Sequence, residues 1–269
     1  MMANRLGWFL VFLLGSAVLQ LPAQQSEADS KLLADIRAKA EKGDAQSQFE
    51  MGKIFWFGKF GVATNYVEAV KWVRKAAEQN HAEAQNNLGF WYGSGQGVAK
   101  DYVEAVKWWR KAAEQNYANA QFNLGYCYAT GQGVAQDAVE AVKWWRKAAE
   151  QNYAQAQFSL GLCYYNAKGV AKDAVEAVKW YRKAAEQNFA EAQCNLGVCY
   201  YAGEGVTKDY VEAYKWLSLA SAQGDENAKG AKSSLAQQMT PEQIAKGFRL
   251  AREFKPGKAL EPGAPAPSR

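Results

Sequence analysis

Nucleophiles, bases and metal ligands are few in this chain, and none falls at a catalytic spacing. His81 is the only histidine, so any Ser-His-Asp or Cys-His arrangement would have to be built on it. The positions 36 and more residues on hold Tyr117, Tyr153 and Phe189, which makes His81 an aromatic-like spacer at an exposed junction. A serine activated by a lysine needs that lysine three residues further along, and no serine here has one. One histidine and four scattered cysteines give no ligand set at zinc spacing. No catalytic residue, metal or cofactor is expected.

The acidic pairs are better helix caps than catalysts. Asp101 with Glu104, Asp137 with Glu140, Asp173 with Glu176 and Asp209 with Glu212 share one spacing, and Asn65 with Glu68 repeats it. A capping box needs that spacing, the first side chain accepting the third amide and the glutamate reaching back to the cap. The loops Gly95 to Gly97 and Gly131 to Gly133 lack a following GK[ST], and the helix after each opens with an aspartate that would repel an anion. They are turns.

Cys127, Cys163 and Cys199 occupy one repeated position, which Ile54 and Trp91 fill earlier in the chain. On successive equivalent helices they would stand about 8–10 Å apart, beyond the ~4.4–6.8 Å between Cα atoms of a disulfide. Cys194 and Cys199 sit five apart on one predicted helix, about 140° around its axis. All four read as small core residues.

What positions these groups is a repeat. Trp72, Trp108, Trp144, Trp180 and Trp216 are each 36 residues apart, as are Gly89, Gly125, Gly161 and Gly197. A period in that range marks a solenoid, in which each unit buries its apolar face against its neighbours. The predicted copies are 44–80, 81–116, 117–152, 153–188 and 189–224. Two helices are legible in each. In the second copy the first helix runs from about Ala82 to Tyr92, and the second opens at Asp101 and ends at Asn116. Asn80, Asn152, Asn188 and Gly224 take that final place elsewhere, because Asn and Gly enter the left-handed conformation cheaply.

The flanks are assigned by the same logic. Arg5, the apolar run Leu6 to Leu19 and Ala23 after a proline read as a signal peptide over 1–23. The expected location is therefore periplasmic or secreted, with an uncleaved membrane anchor as the minority alternative. A capping helix is predicted within 24–43 on the spacing of Leu32, Leu33, Ile36 and Ala40, from Ser30 to Lys42. Capping helices follow over 225–255, the last opened by Thr240, Pro241 and Gln243, with Ile244, Phe248, Leu250 and Phe254 sealing the stack. The Pro-, Gly- and Ala-rich stretch 256–269 is predicted to be disordered.

The formal charge is +5, with Lys and Arg interleaved with Glu, which argues against nucleic acid as a partner. Lys107, Arg110 and Lys111 recur as Lys71, Arg74 and Lys75, as Lys143, Arg146 and Lys147, and as Lys179, Arg182 and Lys183. A solvated face, with Arg110 paired to Glu114 one turn on, is the plain reading; an anionic surface is the alternative.

The pattern AxAQxxLGxxYxxGxGVxxDxxEAxxWxxKAAEQ resembles the Sel1-like repeat, a relative of the tetratricopeptide repeat. Ala120, Gln121, Leu124, Gly125, Tyr128, Gly131, Gly133, Val134, Ala141, Trp144, Lys147, Ala148 and Ala149 carry it, with their equivalents across five copies. The resemblance implies an all-α, right-handed α-solenoid serving as a scaffold for protein assembly. A cysteine-rich exported branch of the family pairs two cysteines within each repeat. Analogy with it gives the alternative function, a β-lactam hydrolase or penicillin-binding protein. By analogy with tetratricopeptide solenoids, three positions per first helix line the concave surface. The expected groove for a protein or peptide partner is Phe49, Trp56, Asn86, Phe90, Phe122, Tyr126, Phe158, Leu162, Tyr165, Val198 and Tyr201. The protein is expected to be a monomeric, non-catalytic adaptor with at most weak attachment to the cell envelope.

Overall fold

The computed structural model describes residues 26–257. Among these, every regular element is an α-helix. α1 (Glu27–Glu41) precedes five helical pairs: α2 (Ala45–Phe57) with α3 (Tyr66–Glu78), α4 (Ala82–Ser94) with α5 (Tyr102–Glu114), α6 (Ala118–Thr130) with α7 (Ala138–Glu150), α8 (Ala154–Asn166) with α9 (Ala174–Glu186), and α10 (Ala190–Ala202) with α11 (Tyr210–Ala222). α12 (Glu226–Ala236) and α13 (Pro241–Glu253) follow. The predicted export signal over 1–23 lies outside the described residues, as does the predicted disordered tail beyond 257. At the tail's start, the Gly257 amide donates to the Glu186 carbonyl at 2.8 Å. α1 begins three residues earlier than the apolar spacing suggested, because Ser26 caps it by accepting from the Asp29 amide.

Each helix packs on the next in sequence, so the chain is an α-solenoid of 36-residue helix-turn-helix repeats. The exception is α13, which folds back past α12 onto α11. Gly247 permits that approach: a methyl there would stand 3.0 Å from the Val211 carbonyl and Tyr214. Phe254 then closes the end, its ring 5.5 Å from that of Trp216. Phe248, expected in this seal, is 54% exposed; it lies one residue past Gly247, about 100° around the helix, and turns to solvent.

The helix boundaries follow from local chemistry. Asp101, Asp137 and Asp209 each accept two backbone amides at the start of a second helix, those at Asp137 coming from Val139 and Glu140 at 2.9 and 3.0 Å. The expected reciprocal half of the box is not formed there. Glu104 and Glu140 instead pair with Lys107 and Lys143 at 2.5 Å, since a charged partner one turn ahead outcompetes a neutral amide behind. The complete box occurs once among the described residues, at Thr240 and Gln243. Asn80, Asn116, Asn152 and Asn188 end their helices at φ of 64 to 67°, as their sequence position predicted. First helices close on a left-handed glycine except in repeat four. There Ala167 holds φ 55°, a conformation that costs an alanine about 1–2 kcal/mol.

Two glycine positions explain the tightness of the stack. A methyl on Gly125 would lie 2.6 Å from Trp145 Cδ1, so the missing side chain lets the indole lie flat on α6 and donate its Nε1–H to the Phe122 carbonyl at 3.1 Å. At Gly133, φ is 71° and a methyl would meet the Tyr102 carbonyl at 2.1 Å. The second glycine of each GxG turn is thus where the turn closes on the preceding repeat. Leu88, Leu124, Leu160 and Leu196 are fully buried between helices, and Trp108, Trp144, Trp180 and Trp216 are buried beside them.

Candidate functional site

The groups that could do chemistry are placed for structure. His81 caps α4: its Nδ1 accepts from the Ala84 amide at 3.2 Å and its Nε2 lies 2.9 Å from Gln46 Oε1. An accepting Nδ1 requires the proton on Nε2, so the ring is neutral and donates to Gln46. Half-burial against Phe49, with ring centroids 4.8 Å apart, holds its pKa below the ordinary value. The expected spacer is therefore a helix cap with a defined tautomer.

Cys127, Cys163, Cys194 and Cys199 are buried free thiols, and desolvation pushes each up to about 11. Such thiols are overwhelmingly protonated near neutrality and poor nucleophiles. Among the described residues, no group of three or more His, Cys, Asp or Glu could hold a metal ion.

The basic stripe is largely consumed in packing. Arg74, Arg110, Arg146 and Arg182 donate to the hydroxyls of Tyr92, Tyr128, Tyr164 and Tyr200 in the following repeat, at 2.5 to 2.8 Å. This replaces the expected Arg110–Glu114 pair, because the phenol offers both an acceptor and a ring face, 5.7 Å from the guanidinium carbon. Lys75, Lys111, Lys147 and Lys183 stand 4.1 to 4.3 Å over the rings of Trp72, Trp108, Trp144 and Trp180.

A second inter-repeat device was not read from the sequence. Gln48, Gln85, Gln121, Gln157 and Gln193 are buried. Each donates to a carbonyl of the preceding repeat or α1, as Gln121 Nε2 does to the Ala113 carbonyl at 3.2 Å. Each also accepts from the glutamine that ends its own repeat's second helix, as from Gln151 at 2.6 Å. Asn116 joins the same rung by accepting from Gln121 at 3.0 Å and Gln151 at 3.1 Å. The recurring Gln of AxAQ and AEQ was the only available signal.

The predicted groove residues divide by position. Those three residues before the repeat glycine turn inward: Phe49 is 0% exposed, Asn86 is buried, and Phe122 and Phe158 are half-buried against Tyr153 and Phe189 of the next repeat. Phe49 and Asn86 are thereby removed from any contact surface. The position one after the glycine stays open in three repeats, with Phe90 at 52%, Tyr126 at 47% and Val198 at 40% exposure, while Leu162 in repeat four is half-buried. Four after the glycine, Trp56 stacks on Trp91 with centroids 4.1 Å apart. Tyr165 donates to Glu204 at 2.5 Å, and Tyr201 packs on Tyr210. A cavity of about 670 Å³ opens between repeats three and four, lined by Tyr126, Trp145, Leu162 and Cys163 among others.

The comparisons agree with this architecture. The Sel1 repeat model matches residues 45–81, 82–117, 118–153, 154–189 and 190–225. The crystal structure of a Sel1 repeat protein from Oxalobacter formigenes is similar at 34% identity, covering 85% of this chain and 96% of that one, with a TM-score of 0.73. A second similar structure is c5321, described as a protective antigen of uropathogenic Escherichia coli displaying an SLR fold. It aligns at 29% identity over 88% of this chain and 62% of its own, with a TM-score of 0.57. No curated protein matches the chain. Five consecutive repeat matches, laid over five helical pairs that carry glycine and tryptophan at the same repeat positions, place this protein in the Sel1 repeat family.

Proposed function

We propose that the protein is an exported, monomeric, non-catalytic adaptor that holds a peptide or helix of a partner protein along its first helices. Sel1 repeat proteins generally mediate protein–protein interaction and are typically non-catalytic scaffolds. The observation that carries the finer reading is the stripe of Phe90, Tyr126, Leu162 and Val198. These positions recur every 36 residues, and Phe90, Tyr126 and Val198 keep apolar surface in solvent, with Leu162 partly so, while their neighbours are buried. Surface of this kind, in register over four repeats, costs solubility and is retained where it binds. Aromatic side chains supply most of the energy at such sites. The basic face is already satisfied by indoles, phenols and glutamates, which supports an apolar mode of recognition over an anionic one.

The test is affinity capture from cell-envelope extract with the chain beginning at residue 24, followed by the double variant Phe90→Ser, Val198→Ser. Both positions are exposed, so the variant should fold with an unchanged thermal midpoint. We expect at least a tenfold loss of the captured partner. Equal capture by both proteins would remove the stripe as the binding surface.

A further inference from the structure

The cavity beside α7 is where repeat three departs from its siblings. Two positions meet there, one four residues after the repeat glycine and one at the start of the second helix. Repeat one puts Trp56 and Tyr66 in them, with centroids 4.6 Å apart, and repeat five puts Tyr201 and Tyr210, 5.7 Å apart. Repeat two pairs Gly93 with Tyr102, and repeat four pairs Tyr165 with Ala174. Repeat three has Ala129 and Ala138, so of the five it alone carries no ring.

Repeat two shows what the space is shaped for. A methyl built on Gly93 would stand 3.2 Å from Trp109 Cη2, 3.6 Å from Tyr102 Cε1 and 3.9 Å from Ala105 Cβ; the phenol of Tyr102 therefore closes on Gly93 together with the indole and the alanine. The counterparts of these four residues in repeat three are Ala129, Trp145, Ala138 and Ala141, and all four line the 670 Å³ cavity. The host walls are kept and the guest ring is absent. Tyr126 and Leu162 of the stripe are also among its lining residues, so the cavity adjoins the proposed contact surface. Its volume falls in the range of about 300–1,000 Å³ typical of binding pockets.

We propose that this cavity receives an aromatic side chain, a phenol above all, from the partner segment. The ring would stand over Ala129 beside Trp145, in the place that Tyr102 takes over Gly93. This rests on the reading of the first-helix stripe as the binding surface, and fixes where its anchor sits. The probe is 4-methylphenol, the tyrosine side-chain analogue, titrated into the whole chain from residue 24 and followed by NMR. Saturable shifts at Trp145 Nε1–H and the Leu162 methyls are expected. Ala138→Tyr, which restores the ring of repeats one, two and five, should weaken binding at least tenfold, as should Ala129→Tyr, which restores that of repeats four and five. Should both variants fail to fold, the shift map of the parent decides alone. Absence of saturable shifts, shifts away from Trp145, or binding that survives in a folded variant overturns the proposal. Neither Phe90 nor Val198 lines the cavity. A negative 4-methylphenol result with capture still lost in Phe90→Ser, Val198→Ser therefore sinks the cavity alone, and the converse sinks the stripe alone.

Discussion

At the scale of single residues, His81 shows how a lone histidine in a Sel1 repeat array can matter to stability through a helix cap. The later repeats hold Tyr117, Tyr153 or Phe189 at this position, and those make no side-chain cap. His81 keeps a flat ring against Phe49 and adds an acceptor for the Ala84 amide. Only the neutral imidazole can accept, and half-burial favours that same form. The charges that face it, Glu50 and Lys53, act in opposite directions. The native pKa lies below the 6.5 of the exposed group, so the unfolded chain binds the proton first. Stability conferred by the cap is complete above about 6.5 and declines as pH falls through the depressed native value. Urea unfolding between pH 7.5 and 5 should show this loss, and His81→Asn, a pH-insensitive cap, should remove the His81 component of the slope. An identical pH profile for His81→Asn would mean that the proton on His81 has no thermodynamic consequence.

At the scale of elements, the repeats are joined by polar ties that cross helix boundaries. Gln121 donates to the Ala113 carbonyl of repeat two and accepts from Gln151 of its own repeat, at the far end of α7. One side chain thus fastens three helices. Truncating Gln151 strands the buried Gln121 Oε1, and truncating Gln121 takes a donor from the Ala113 carbonyl and an acceptor from Gln151, losses that cost about 1–3 kcal/mol. Gln121→Ala and Gln151→Ala should each destabilise within that range, and the double variant should cost less than their sum, because both changes remove the same Gln121–Gln151 bond. Strict additivity in chemical denaturation would show that the 2.6 Å contact carries no net coupling.

These ties also mark where the sequence stopped being legible. Helix positions and the Asp and Asn boundaries follow from local rules and a visible period, whereas the indole on Gly125 is that of Trp145, outside the periodic tryptophan series, and Val73, Tyr181 and Leu217 take its place in repeats one, four and five. The Gln121–Gln151 bond spans 30 residues and the Arg110–Tyr128 bond 18, distances at which neither helical spacing nor charge patterning specifies a partner. The same limit governs the groove. Phe122 and Tyr126 are four apart and share one helix face. What separates half-buried from exposed is the ring of Tyr153 arriving from the next repeat, a consequence of winding that no single copy of the repeat encodes. The empty place at Ala129 and Ala138 could be aligned by eye, yet only the packed neighbours show that it is a hole.

At the scale of the whole molecule, a solenoid has no single core, and its stability is a sum of repeat and interface terms between nearest neighbours. Trp144 lies at the centre of this array, buried with the charge of Lys147 over its ring at 4.1 Å. Trp144→Ala should cost about 3–5 kcal/mol, the usual range for truncating a large aromatic in a packed interior. In a globule that loss would lower protection everywhere at once. Here it should be local: native-state hydrogen exchange is expected to show α6, α7 and α8 opening together. Amides around Leu88 in α4 and Leu196 in α10, one interface further out on either side, should retain most of their protection. The far ends are sealed independently, by α1 against α2 and by Phe254 against Trp216, and can hold when the middle gives. Uniform loss across α4 and α10 in the same experiment would instead mean that the glutamine and arginine ties couple the array into one cooperative unit. A partner segment gripping repeats two to five would then rigidify the chain to its ends.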